Sequence, residues 1–397
     1  MFNTGPQAIA GPLAGIRVLD LSRILAGPTA TQLLADLGAD VIKVENPKTG
    51  GDDTRSWGPP YVPELGDDKD LSAYFVCANR NKRSLAVDLT TVEGRHVIRK
   101  LAATSDILVE NFKPGAMAKY ELDYITLSKL APRLIYCSIS GFGQTGPNAH
   151  KPGYDLMAQA YGGIMSLTGE PEGQPIKVAV GIADVMCGMY ATTGILAALN
   201  DVHRTGQGQH IDLALVDTQI AWLINEGTNF LTSGSLPKRC GNGHPNIVPY
   251  QVFELSDGHA VIAVGNDSQF QRFADWLGFP EWAADERFAT NPARVEHRDA
   301  LILLISNVLR AVEVDQLIVG LGDIGVPVGP VNTLDRVFGS DQVAAREMKV
   351  SLSSRHAKSG DIQVIGNPLK FSRTPVTYRS SPPKFGEHTE EILKEIE

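Results

Sequence analysis

Cysteine is scarce in this chain. There are four in 397 residues, Cys77, Cys137, Cys187 and Cys240, and no two form a CxxC pair. That pattern disfavours a redox dithiol or a cysteine metal centre, and buried thiols in a reducing compartment are expected. An excess of positive charge is also lacking: 36 Lys and Arg stand against 45 Asp and Glu, for a formal net charge of −9. Such a chain repels polyphosphate at long range, so no nucleic-acid partner is expected. An anionic small ligand would need local basic groups or helix N-termini. Long apolar runs are few. The longest uncharged stretch, residues 185–200, is broken by Gly and Thr and reads as too short for a membrane span. The start, "MFNTGPQAIAGPLAG", lacks the basic head and apolar core of a signal peptide, so a soluble, cytoplasmic protein is expected. The dinucleotide fingerprint is missing as well. After the first strand-like run the chain reads "SRILAGPTA" rather than GxGxxG, which disfavours an NAD-type enzyme.

What is present is an ordinary globular composition, 43% hydrophobic and 20% charged, in a chain longer than one core usually serves. "IRVLDLS", "DVIKVENP", "KRSLAVDL", "DILVENF" and "RLIYCSISGFG" are strand-like, and helical patterns separate them. Strand–helix alternation predicts a parallel sheet covered on both faces. Pro28 suits a first helical turn and Gly38 a helix end. Past Trp222 the chain becomes rich in Gly and Pro. The expected organisation is a large Rossmann-like α/β domain over 1–221, a linker and glycine loop over 222–249, a smaller α+β domain over 250–324, and a linker and return over 325–397. Asp257-Gly258 is read as a hairpin turn in the small domain.

Four stretches can carry chemistry. Asp184 is the lone charge in "VGIADVMCGMYATTGILAAL". "KVAVGIA" before it suggests a strand and the sequence after it a helix, which places Asp184 at or near the helix N-terminus. Two readings stay open: a helix cap, or a carboxylate nucleophile held ionised by the helix dipole and backbone N–H groups. "GYDLMAQAYGGIMSLTGEP" brings glycines that permit close ligand approach or tight helix packing. "GDDTRSWGPP" sets Arg55 and Trp57 in a loop between α/β units, where binding groups concentrate. "CGNGHP" is either a flexible joint or a loop whose N–H groups donate to an oxyanion.

Together with "LGADVIKVE", "NRNKRSLAVDL", "VENFKPG", "YCSISGFGQTGP", "GNGHPNIVPYQVF", "GVPVGPVN" and "GEHTEEIL", in order over nearly the whole length, these stretches resemble the family III CoA-transferases. The look is closest to members acting on glutarate. The resemblance implies that Asp184 is the nucleophile, passing through an aspartyl anhydride and an aspartyl-CoA thioester. It implies acyl-CoA and carboxylic acid substrates, no permanently bound cofactor, no metal, and an interlocked homodimer. By position it implies CoA contacts at Leu25, Ala26, Asn46, Val87, Asn111, Phe112, Lys113, Lys119, Lys151 and Tyr154. Asn46 stands where relatives often carry Arg. Around the acyl group it implies Trp57, Tyr74 and the loop with Gly241, Gly243 and His244. A dicarboxylate needs a basic partner for its far end, and Arg55, Arg239 and His244 are the candidates. Leu25 replaces the glutamine of formyl-CoA transferases and cannot donate its hydrogen bond, which disfavours formyl or oxalate chemistry. The rival readings are an α-methylacyl-CoA racemase, which would carry His at Tyr154, and a CoA-binding protein without catalysis.

Overall fold

A computed structural model describes residues 11–66 and 69–397. Residues 1–10, read above as part of a start lacking a leader's marks, and residues 67–68 lie outside the described residues. Six strands pair in parallel: β1 (Arg17–Asp20), β2 (Asp40–Glu45), β3 (Lys82–Ala86), β4 (Ile107–Glu110), β5 (Ile135–Ser140) and β6 (His210–Ala214), in the order β3-β2-β1-β4-β5-β6. The central β1 sets Val18 opposite Val41 on one side and Ile107 on the other. Every residue of β4 and β5 is buried, as a parallel sheet covered on both faces requires.

Four helices matter for the site: α1 (Ala26–Asp36), α2 (Val92–Ala103), α3 (Asp155–Tyr161) and α4 (Ile182–Thr205). Alternation along the strands sends Val18, Val41, Val109 and Ile139 to the face shared with α1 and α4. Leu19, Ile42, Leu108 and Tyr136 go to the opposite face, against α2 and Ile392. α4 can lie close on α1 because Gly188 has no side chain. A Cβ there would sit 2.7 Å from the Ala26 carbonyl oxygen and 2.9 Å from Thr29 Cβ. By length and composition α4 could cross a membrane, but half of its apolar window is buried inside this fold.

The compact unit just described comprises residues 11–164, 177–233 and 341–397. A second unit holds residues 165–176 and 234–340. Its three antiparallel strands, Tyr250–Glu254, His259–Ala263 and Val328–Pro330, pack with Phe270, Phe273, Ile305 and Leu317 of its helices. The Asp257-Gly258 turn joins the first two strands, and the Asp257 carboxylate accepts the Val314 N–H at 2.8 Å. Two local expectations need correction. Ile224–Ser233 is a helix, not linker. "KVAVGIA" forms no strand, because the Gln159 side chain, rather than a neighbouring strand, takes the Val178 N–H at 2.9 Å.

Charges lie inside the first unit: Asp20 ends β1, Lys43 lies within β2, Asp52 follows β2 and Lys82 opens β3. Lys43 Nζ donates to Asp52 at 2.8 Å and to the Ser22 carbonyl at 3.0 Å. Lys82 Nζ donates to Asp20 at 3.1 Å, Pro28 O at 3.0 Å and Asn79 at 3.0 Å. All four charged side chains are fully buried. Burial opposes the charge on Asp52, yet Lys43 and the Thr54 donors outweigh it and hold the carboxyl at about 2. The Asp52 contribution is therefore present above its ordinary value of 3.8 and is lost as pH falls toward about 2. Asp52→Ala strands the Lys43 ammonium and is expected to cost about 3 kcal/mol in urea unfolding at neutral pH. A loss below about 1 kcal/mol, the level of surface pairs, would refute this account of the pair.

Candidate active site

Strand order reverses between β1 and β4, and in open α/β sheets ligands bind at the carboxyl ends of strands at such a point. There the chain leaves β1 through residues 21–25. Ile24 takes φ 72°, a strained value for a β-branched residue. Three side chains impose it. The Asp52 carboxylate accepts the Ile24 N–H at 3.2 and 3.3 Å. Lys43 holds the Ser22 carbonyl. Asn111, just past β4, accepts from Arg23 N at 2.9 Å and donates to Arg23 O at 2.7 Å. The turn leads directly into α1, whose first residue is Ala26.

The result is a cavity of 380 Å³ walled by Arg23, Leu25, Ala26, Asn111, Phe112, Lys113, Lys151, Gly153, Tyr154 and Leu215, with Asp184 in its lining. Backbones come close in this wall: a Cβ on Gly153 would lie 2.1 Å from Gly141 Cα. A neighbouring cavity of 170 Å³ shares Arg23 and Phe112 and adds Asn46, Gly51, Asp52, Val87 and Thr90. Seven of the CoA positions drawn from the sequence thus line the first cavity with Asp184, and Asn46 and Val87 line the second. Lys119 is exposed at the end of the short helix Ala116–Lys119 and lines neither cavity.

Asp184 is not the cap of α4. Gly181 holds that position, without a side-chain hydrogen bond, and Asp184 is the third residue of the helix. The capping carboxylate comes from Asp155, the first residue of α3. Its Oδ1 accepts Ala183 N at 2.8 Å and Asp184 N at 3.4 Å. Its Oδ2 accepts Gln159 Nε2 at 2.7 Å. Asp184 keeps 9% of its surface exposed, and among the described residues its carboxylate accepts no hydrogen bond. Burial, then the charge of Asp155, push it up to about 7. The expectation that helix N–H groups hold it ionised is therefore corrected, because Asp155 occupies those groups. Sequence reasoning passed over Asp155, although it is the acid of the quoted "GYDLM".

Trp57 and Tyr74 meet edge to face with ring centroids 5.2 Å apart. Burial and then the Asp184 charge push the Tyr74 phenol up to about 12, which keeps its hydroxyl a donor. Arg55 does not bind a ligand as expected. It is buried, with Nε and Nη2 on Glu45 at 2.8 and 2.7 Å, Nη1 on Asp70 at 3.0 Å, and its face 3.7 Å from the Phe75 ring centroid. Every arm already has a partner. Arg239, Gly241, Gly243 and His244 belong to the second unit. Arg239 donates to the carbonyls of Glu170, Pro171 and Gly173 at 3.1, 3.3 and 2.7 Å, pinning a turn. Gly241 has φ 56° and donates to Gly169 O. Gly243 N donates to Cys240 O. His244 Nδ1 accepts Asn246 N at 3.1 Å, and its ring packs on Tyr250. Among the described residues no group of three or more His, Cys, Asp or Glu could hold a metal.

The family model for CoA-transferase family III matches residues 13–389. A succinate–glutarate CoA-transferase of Agrobacterium fabrum is 49% identical, over 97% of this chain and 96% of its own length. A succinyl-CoA:glutarate CoA-transferase of Mus musculus is 41% identical, over 97% of this chain and 86% of its own. Among solved structures, a CAIB/BAIF family protein from Brucella suis superposes with a TM-score of 0.88 at 47% identity, covering 98% of this chain and 100% of that one.

The isolated Asp184 charge has a thermodynamic signature. Its folded-state value lies above the ordinary 3.8, so its ionisation destabilises the fold as pH rises from about 4 to 7 and the penalty levels off above that. Asp184→Asn is expected to raise Tm at pH 8, by an amount equivalent to at most about 4 kcal/mol, with the gain fading toward pH 4. An asparagine variant that is less stable at pH 8 would show that the carboxylate has partners in the folded protein.

Proposed function

The chain belongs to CoA-transferase family III, and from that premise we propose that it moves CoA from succinyl-CoA to glutarate through covalent intermediates on Asp184. The observation that carries this reading is the placement of a buried, uncapped carboxylate in the lining of the cavity at the strand switch point. The Asp184 carboxylate attacks the thioester carbonyl, the C–S bond breaks, and a mixed anhydride and CoA thiolate result. The thiolate attacks the aspartyl carbonyl, expelling succinate and leaving aspartyl-CoA. The acceptor carboxylate attacks that carbonyl, CoA thiolate departs, and a second anhydride forms. The thiolate then attacks the acceptor acyl carbon and frees Asp184. Each step exchanges one acyl bond for another, which divides a hard exchange into easier ones. Burial of the carboxylate keeps water from the anhydrides.

Arg23, Lys113 and Lys151 supply positive charge to the cavity wall, suited to the phosphates of CoA in a chain that is acidic overall. The two similar proteins named for glutarate support that acid as acceptor.

A homodimer belongs to the same reading. Tyr154, Leu156, Met157 and Tyr161 at α3, Met189, Tyr190 and Leu196 on α4, and Ile220, Ile224 and Leu231 nearby are all exposed. That much apolar surface fits coverage by a second copy, and the family resemblance implies that the copies interlock. Sedimentation velocity at micromolar concentration should give a dimer, and a monomer would refute it.

Asp184→Asn should lower transfer about 10⁴-fold. Hydroxylamine should trap an aspartyl hydroxamate at residue 184 in the wild type after succinyl-CoA is added. Transfer that survives in the variant would overturn the assignment. In an acceptor panel glutarate should outrank oxalate, and the reverse order would sink the substrate assignment.

A further inference from the structure

Asp184 lacks a cap because a neighbouring acid takes the cap instead. We propose that Asp155 is a positioning residue for Asp184: it occupies the second and third amides of α4 and sets a carboxylate beside the reacting one. The inference rests on the nucleophile reading of Asp184.

The geometry leaves Asp155 little freedom. Oδ1 is fixed by Ala183 N at 2.8 Å and Asp184 N at 3.4 Å, and Oδ2 by Gln159 Nε2 at 2.7 Å. Gln159 is fully buried and anchored in turn by Val178 N at 2.9 Å. The carboxyl group packs closely on the helix start, where a Cβ on Gly181 would lie 3.7 Å from its carbon and 3.0 Å from Leu25 Cδ2. Two amides that would favour an anionic Asp184 are thereby directed to another acid. Asp184 also faces the Tyr74 phenol and the Cys187 thiol of its own helix, whose values both respond to its charge. Arg23, Lys113 and Lys151 share its cavity, and among the described residues none forms an ion pair with it. Asp155 is the one acid that raises its proton affinity, second to burial. A more basic carboxylate is a stronger nucleophile toward a thioester, provided it is ionised at working pH.

Asp155→Asn tests this, because its side-chain oxygen can still accept Ala183 N while the charge is gone. Two midpoints are read. One is the acid limb of kcat/KM for succinyl-CoA. The other comes from the pH dependence of the Tm difference that Asp184→Asn produces, measured with and without Asp155→Asn, which reports Asp184 whether or not it is catalytic. Both midpoints should fall by about one pH unit, and the plateau of kcat/KM should fall with them. A purely structural role would lower activity at every pH and move neither midpoint, which would overturn the inference. If the Tm midpoint moves while the rate limb stays, the role of Asp155 stands and the nucleophile assignment of Asp184 fails. Asp155→Asn with Gln159→Glu rebuilds the hydrogen-bond chain and returns the charge at a greater distance. Its midpoints should lie between those of the single variant and the parent. Should the single variant not fold, midpoints of the double variant equal to the parent's would overturn the proposal, and lower ones would support it.

Discussion

The buried pairs Lys43–Asp52 and Lys82–Asp20 are the interactions on which the rest of this fold depends. Each removes two charges from water, and such pairs add little net stability over apolar packing of the same volume. What they do add is direction. Lys43 and Asp52 together hold the Ser22 carbonyl and the Ile24 amide, and so hold a β-branched residue in a left-handed conformation. Lys82 ties Asp20 to the Pro28 carbonyl, so the end of β1 and the first turn of α1 share one anchor. The turn at the switch point is thus set by buried charges, two of which, Lys43 and Asp52, also line the second cavity.

Above that anchor, two neighbouring acids stand in contrast. Asp155 is saturated with donors, whereas Asp184 has none among the described residues. The same carboxyl group therefore does structural work at one position and is left without a donor at the other. The separation lets the long helix be capped without involving the Asp184 side chain. In a chain of net charge −9, cations still line this cavity, and Asp155 beside it is held by its own hydrogen bonds.

Much of this was legible in the sequence. The five β-type runs before residue 141 became β1 to β5, because each is a short apolar run bounded by turn residues, the pattern of strands buried on both faces. Asp184 stood out as a lone charge in an apolar stretch. The residues expected to contact CoA were drawn only from family likeness, since Leu25 or Val87 carries no chemical mark, and most of them line the two cavities. Three features were hidden for physical reasons. The cap role of Asp155 joins residues 28 positions apart, and spacing along one helix cannot reveal it. Arg55 read as a binding group because a loop arginine is usually exposed, yet its partner Glu45 ends a strand that brings the acid underneath. "KVAVGIA" has strand-like composition, but its amide partner is a side chain on α3.

Gly188 adds a consequence for how such an enzyme diversifies. Where α4 crosses α1, main chain meets side chain and main chain with no room for a methyl group. The helix that carries Asp184 therefore rests on a contact that no substitution at position 188 can tune. Latitude lies instead in side chains of the cavity wall such as Leu25 and Tyr154. The helix crossing keeps a fixed spacing, and the shape of the cavity can change only around it.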